Sequence, residues 1–421
     1  MIIIIASLVL TLLALYGMPL FAVFGALAMI LFANSGIDIS SVAVSMYSIA
    51  GSPLLVAIPL FTFAGYLLAH SKAPQRLLNL SRAFFPGGLA VVALTACAVF
   101  TAFTGASGVT IVAMGGLLMP MLLGEGYSKK FSLGLITSTG SLGLLFAPSL
   151  PLIIYGYIAE VEVNKLFLAG VIPGILLIAV FSGYSIYVGR HEGVKRERLS
   201  LAHAGAALRA AAWEIPLPFV ILGGIYGGIF TVMEAAAVTA LYAIVVEVFV
   251  YRDVPLRRVP SIIAESMALV GGILVIIMSS FGFVNYLIDA EIPTRVLSWM
   301  QQYITDKYTF LMILNIFLLL IGCLMDEFSA LIVCVPLITP VAAGFGVDPI
   351  HLGIVFLTNL EISYILPPVG LSLFISSFRF REPVFNLYRA SLPFAVLMFL
   401  ALVLITYFPF LSLWLVHLLG R

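Results

Sequence analysis

Apolar runs long enough to cross a bilayer recur from one end of this chain to the other. A spanning helix needs about 20 mostly apolar residues. The 421 residues are 62% hydrophobic and only 9% charged, with a mean hydropathy of +1.20. The runs do not alternate polar and apolar residues, as the strands of a membrane barrel would. The expected fold class is therefore an all-α polytopic membrane protein. The start, "MIIIIASLVLTLLALYGMP", has no basic leader and no small-residue cleavage site, so it reads as a retained first helix.

Several function classes are disfavoured. A net charge of +1 does not suggest a nucleic-acid partner. There is no G-x-x-x-x-G-K-[ST] loop and no soluble stretch to house a nucleotide domain. Energy for transport would have to come from an ion gradient or a partner. Cys97, Cys323 and Cys334 sit in apolar segments without metal-like or disulfide spacing. His351 and the other histidines form no cluster. No catalytic residues are expected.

The chain matches itself at an offset of 219 or 220 residues. Pro74 and Arg76 fall on Pro293 and Arg295; Pro120, Gly126 and Gly134 on Pro340, Gly346 and Gly353; Pro148 on Pro367; and Pro173 on Pro393. Charge decides how each half faces. Segment 70–82 carries Lys72, Arg76 and Arg82 without an acid, whereas its mate 289–301 carries Asp289 and Glu291. Lys129 and Lys130 match a segment holding only Asp348. Glu160 and Glu162 match Arg379 and Arg381. Equivalent loops thus lie on opposite sides, which is an inverted-topology repeat. The expected domains are a first repeat over 1–205, with a hairpin at 86–123 and a broken helix at 131–157, and a second over 206–421, with a hairpin at 308–343 and a broken helix at 351–376. Other helices are expected at about 2–16, 18–34, 53–70, 168–188, 215–235, 236–251, 268–288 and 389–407, with a cytoplasmic linker holding Arg190, Lys195, Arg196, Arg198 and Arg209.

Why break a membrane helix? Proline removes a helix hydrogen bond, and the bilayer core holds no water to replace it. Irregular backbone survives there only when buried in protein or lining a cavity, where freed carbonyls and helix ends can bind ions. "LGLLFAPSLPLIIYG" (142–156) holds Pro148 and Pro151; "YILPPVG" (364–370) holds Pro367 and Pro368. The hairpins are read as re-entrant, with tips at "TGASG" (104–108) and "LMDEFSA" (324–330). Both tips and both breaks would meet near the midplane. A charge there costs at least ~2.5–3.5 kcal/mol, which singles out Glu234, Glu247, Asp326, Glu327 and Glu361. Glu247 could snorkel, and Glu234 could be a structural partner. Asp326 is the leading functional candidate, with a capping role as the alternative. The first-half site is uncharged: Thr104, Ser107, Thr137, Ser138, Thr139, Ser141 and Ser149. Hydroxyls and carbonyls suit a hard monovalent cation such as Na⁺.

These motifs, with "GSPLLVAIPLFTFAGYLLA", "GIFTVMEAAAVTALYA" and the tail "ITYFPFLSLWL", span the chain. They resemble the large membrane subunit of tripartite ATP-independent periplasmic (TRAP) transporters. The resemblance implies an elevator-type transport domain built from both repeats and sliding against a scaffold. It also implies Na⁺-driven symport of an organic acid such as a C4-dicarboxylate or sialic acid. A periplasmic binding protein would deliver that acid, and a small membrane subunit would brace the scaffold. The setting is the bacterial cytoplasmic (inner) membrane. Carried over by motif, Na⁺ is expected at two sites: Ser107, Gly140 and Pro148, and Thr358, Asn359 and Pro367. Substrate is expected at Thr104 or Ser107, Ser149 and Asp326. The chain departs from the family at Ala147 and at Leu366, where a threonine hydroxyl is lost. No extra helices precede the N-terminus, so the small subunit is expected as a separate chain. The alternative is a self-sufficient ion-coupled carrier of the same architecture.

Overall fold

The computed structural model of the chain describes residues 9–10, 12–13, 18–84, 88–194 and 201–419. Most of the expected first helix, and Lys195, Arg196 and Arg198, lie outside these. The described residues are helical throughout, with no strand. In the first half, α1 (Leu20–Asn34), α2 (Ser40–Ala50) and α3 (Pro53–Ala69) precede α4 (Ala73–Phe84). Then come α5 (Leu89–Thr104) and α6 (Ser107–Gly124), which form the first hairpin. α7 (Lys129–Thr139), a 3₁₀ turn (Leu142–Leu145) and α8 (Leu150–Ile158) form the broken helix, and α9 (Val163–His191) closes the half.

After α10 (Leu201–Ala210) the second half begins with α11 (Pro216–Tyr226) and α12 (Val232–Ile244). A π turn (Val245–Val250) and a 3₁₀ turn (Leu256–Arg258) lead to α13 (Val259–Asp289) and α14 (Ile292–Gln301). The second hairpin is α15 (Lys307–Gly322) and α16 (Glu327–Gly344). The second broken helix is α17 (Pro349–Ser363) and α18 (Leu371–Phe380), followed by α19 (Val384–Tyr407) and α20 (Phe410–Leu419). Side-chain caps start several of the helices. Ser128, Asp306 and Asp348 each accept backbone N–H groups at the N-termini of α7, α15 and α17.

Four details differ from the sequence reading. The stretches 70–82 and 289–301 are helical: α4 and α14 carry apolar residues at helical spacing among polar ones, the mark of a helix lying along an interface. α4 turns 74° away from α3. The boundary expected at 235/236 lies earlier, because Thr231 caps α12. Thr231 accepts from the Glu234 N–H while Glu234 accepts from Thr231 N (2.8 Å), a reciprocal capping box. The charge of Glu234 is thus a structural device. α2 and α20 also went unread.

The halves interlock through exchange-related contacts. α1 packs on α13, and α12 packs on α3. α7 packs on α19, and α17 on α9. α18 packs on α6, and α8 on α16. So each hairpin's second arm lies against the post-break helix of the other half, a reciprocal exchange between the two repeats. Lys129 pairs with Glu382, Arg82 with Glu125 (2.7 Å), and Ser128 N donates to Glu192 (2.9 Å), which gathers the basic turns on one face. On the other face, Lys307 Nζ donates to Gly346 O (3.0 Å) and Tyr155 donates to Pro349 O (2.7 Å). Six described helices are long and apolar enough to cross a membrane, or eight if each bent pair is one span.

One buried cation ties α4 to the second half. Arg76, whose side chain is 11% exposed, donates to Glu214, to Asp253 (2.5 Å) and to Glu247 (3.0 Å), and stacks on Tyr251 at 3.9 Å. Glu247 is fully buried in the π turn rather than reaching for the surface, because Arg76 comes to it. Removing one partner of a buried ion pair costs roughly 3–5 kcal/mol. Arg76→Ala is therefore expected to lower the thermal midpoint severely. Arg76→Lys should recover only part, since an ammonium cannot fork to three carboxylates. Wild-type stability in Arg76→Ala would contradict this account.

Candidate functional site

The first break joins the first hairpin tip through backbone contact. α5 ends in Gly105, whose φ of +64° is open to glycine without strain and whose N–H donates to Thr101 O (2.8 Å). A Cβ on Gly105 would stand 2.5 Å from Leu150, the first residue of α8. A Cβ on Gly140 would stand 3.1 Å from Ser107 O. Thr101 Oγ1 lies 3.1 Å from Gly140 O and 2.8 Å from Thr110 Oγ1, and Thr104 lies 3.4 Å from Thr110. Thr104, Ser107 and Gly140 are thus brought together around buried hydroxyls and carbonyls. This places the tip at the break. The break itself lies between the Lys129 turn on one face and the Glu160 turn on the other.

Buried oxygens remain without partners here. The hydroxyls of Ser138, Ser141 and Ser149 are enclosed and accept or donate nothing among the described residues. Buried polar groups are normally satisfied, so three such oxygens beside a broken helix fit the donor set of a hard cation. Pro148 is buried, and the Ala147–Pro148 peptide is cis. Ser149 is the N-cap of α8 yet its hydroxyl makes no cap bond. It is free to face a ligand at a positive helix end.

The second break is built differently. Thr358 Oγ1 donates to Ile354 O (2.7 Å). Asn359 Nδ2 donates to Val355 O (2.8 Å) and to Asn315 Oδ1 (2.8 Å) on α15, while its own buried Oδ1 has no partner. Asn315 in turn donates to Thr406 (3.1 Å). A Cβ on Gly322, at the end of α15, would stand 2.5 Å from Ser363 Oγ, so hairpin and break are in contact here too. Pro367 is exposed, unlike Pro148, and the Pro367–Pro368 peptide is cis. Gly370 starts α18 in the left-handed region.

Asp326 is the N-cap of α16. Its carboxylate accepts from Phe328 N and Ser329 N (both 3.1 Å) and from Ser329 Oγ (2.5 Å). It is exposed, and no described hydrogen bond joins it to Thr104, Ser107 or Ser149. The capping role is thus present in the structure. Glu327 and Glu361 are buried, and both oxygens of Glu361 lack partners among the described residues. Thr101, Thr110 and Asn315 went unread as site residues. Asn315 was visible as a lone amide in "LMILNIFLLL"; the threonines blend into an apolar helix.

A membrane-embedded pair of hairpins meeting two broken helices defines a polytopic transporter. The description "Tripartite ATP-independent periplasmic transporter, DctM component" matches residues 4–411. The chain belongs to this family, as its large permease component. It is 36% identical over 400 residues to the C4-dicarboxylate TRAP transporter large permease protein DctM of Pseudomonas aeruginosa, covering 94% of this chain and 93% of that one. It is 33% identical to the isethionate TRAP transporter permease protein DctMQ of Oleidesulfovibrio alaskensis, covering 91% of this chain and 61% of that one. In structure it is similar to the YdaH transporter of Alcanivorax borkumensis, with a TM-score of 0.68 at 14% identity, covering 96% of this chain and 98% of that one. That likeness shows the fold alone.

Gly105→Ala is expected to push the tip away from Leu150 and to impose a left-handed conformation that costs an L-residue about 1–2 kcal/mol. Uptake in proteoliposomes should fall far more than the thermal midpoint does. Equal loss of both would mean that the tip serves stability alone.

Proposed function

We propose that the chain is the permease of a Na⁺-coupled TRAP system that takes up an organic acid by an elevator motion. The observation that supports this most is the pair of breaks, each touching a hairpin tip and each holding unpartnered buried oxygens: Ser138, Ser141 and Ser149 at one, Asn359 at the other. Na⁺ bound there would neutralise the negative ends of the freed carbonyls and draw each tip onto its break. Ser107, Gly140 and Pro148 would offer oxygens on one side, and Thr358, Asn359 and Pro367 on the other. Substrate would lie between Thr104, Ser107 and Ser149, its carboxylate at the N-terminus of α8. Asp326 would hold the second tip in shape through its cap, so its part is positioning.

The transport domain would be both hairpins and both broken helices, drawn from repeats divided near residue 205. The scaffold would be α1, α3, α12 and α13, which pack on one another, with α4 and α14 as the connecting arms. A binding protein outside and a small membrane subunit would complete the system in the cytoplasmic membrane. The relatives' names cover a dicarboxylate, a sulfonate, ectoine and a sialic acid, which supports a small solute carrying an acid group as the substrate class.

Two measurements test this reading. A ligand that binds only the folded state stabilises it by RT ln(1 + [L]/Kd), about 2.7 kcal/mol at a hundredfold excess over Kd. The thermal midpoint of the permease complex should rise in NaCl over equal KCl, and the rise should shrink in Ser141→Ala and Asn359→Leu. No sodium-specific rise in the complex would overturn Na⁺ coupling. Asp326→Asn keeps an N-cap and should retain most stability and some uptake. Asp326→Ala loses the cap, about 1 kcal/mol, and should lose uptake. Full activity in Asp326→Ala would remove it from the site.

A further inference from the structure

A second polar feature lies away from both breaks. Where α6 meets α18 there is a cleft of about 520 Å³ lined by Val112, Ile375, Phe378, Arg379 and Arg381. Its charged lining is wholly basic. Neither arginine has an ion pair or a side-chain hydrogen bond among the described residues. The neighbouring acid, Glu382, is already engaged by Lys129 and by Asn386 (3.3 Å), and the Lys129 bond holds its carboxyl below the usual range. Arg379 reaches α6 because Gly116 has no side chain; a Cβ there would collide with the guanidinium. Ile375, Phe378 and Arg379 share one helical face by spacing, and Arg381 follows at the end of α18. Phe378 is 85% exposed and Val112 48%.

We propose that this cleft binds an anionic phospholipid of the cytoplasmic leaflet, with the headgroup phosphate on Arg379 and Arg381 and an acyl chain along Val112, Ile375 and Phe378. Guanidinium groups match phosphate oxygens in forked geometry. Basic pockets between membrane helices on the cytoplasmic side favour such headgroups. The side follows from the link between Lys129 and Glu382, which sets this cleft among the basic turns. A soluble anion would need a polar enclosure, and here three of five lining residues are apolar, with Val112 and Phe378 exposed. A lipid so placed would clamp the first half's hairpin to the second half's post-break helix. The inference rests on the membrane topology of the proposed function, not on its sodium coupling.

The test titrates phosphatidylglycerol against phosphatidylcholine into the purified permease complex and follows the thermal midpoint. Phosphatidylglycerol is expected to raise it selectively. A basic residue near an anionic surface contributes about 1 kcal/mol, or roughly fivefold in affinity. The double variant Arg379→Gln, Arg381→Gln should therefore weaken the apparent affinity roughly thirtyfold, and Arg381→Gln alone about fivefold. Arg295→Gln, exposed on α14 and on the opposite face, should leave it unchanged. An identical lipid response in wild type and the Arg381→Gln variant would overturn the proposal. So would protection by inorganic phosphate or succinate that needs these arginines while lipid gives none. The sodium-dependent rise, read in the same samples, fails or survives independently.

Discussion

Everything in this fold depends on one rule: inside the bilayer core, a backbone N–H or C=O has no water to fall back on. An unbroken helix meets the rule within itself. This chain interrupts its helices twice, at Pro148 and at Pro367–Pro368, and the rest of the molecule is arranged around those two places. Each break is held against a hairpin, whose own tip is a second irregular stretch. At the first break the irregular backbone is enclosed by other protein, whereas Pro367 and Pro368 at the second stay exposed; both places keep oxygens without partners among the described residues.

The two sites use different means. At the first break the partners are hydroxyls, with Thr101 reaching Gly140 O and Thr110 while three serine oxygens stay open. At the second an amide chain runs from Thr406 through Asn315 to Asn359. Buried networks of this kind hold geometry well when they are satisfied. Asn359 keeps one oxygen unsatisfied, so the network positions an acceptor without using it up.

Much of this was legible in the sequence, for physical reasons. Prolines in apolar runs and long uncharged stretches predict the breaks and the hairpins, because both are constraints of the bilayer itself. The hairpins fall at Leu89–Thr104 with Ser107–Gly124 and at Lys307–Gly322 with Glu327–Gly344, close to the expected spans. Interfacial helices were harder. α4 and α14 look like charged loops, since their apolar residues are few and only helical spacing reveals them. Roles that depend on a distant partner were illegible: nothing near Glu247 announces Arg76, which lies in the other half. Asp326 shows the converse, where a capping pattern, Asp-x-x-Ser, was in plain view beside a more dramatic reading.

The exchange of partners between halves also governs how such a chain can be made. α8 and α6 emerge from the ribosome well before α16 and α18, the helices they pack on. Until the second half is inserted, the first must wait in the membrane with its hairpin and break only partly covered. Assembly therefore completes near the end of synthesis, and a chain truncated before α16 would leave the first half's irregular backbone facing lipid, in a form suited to recognition by membrane proteases.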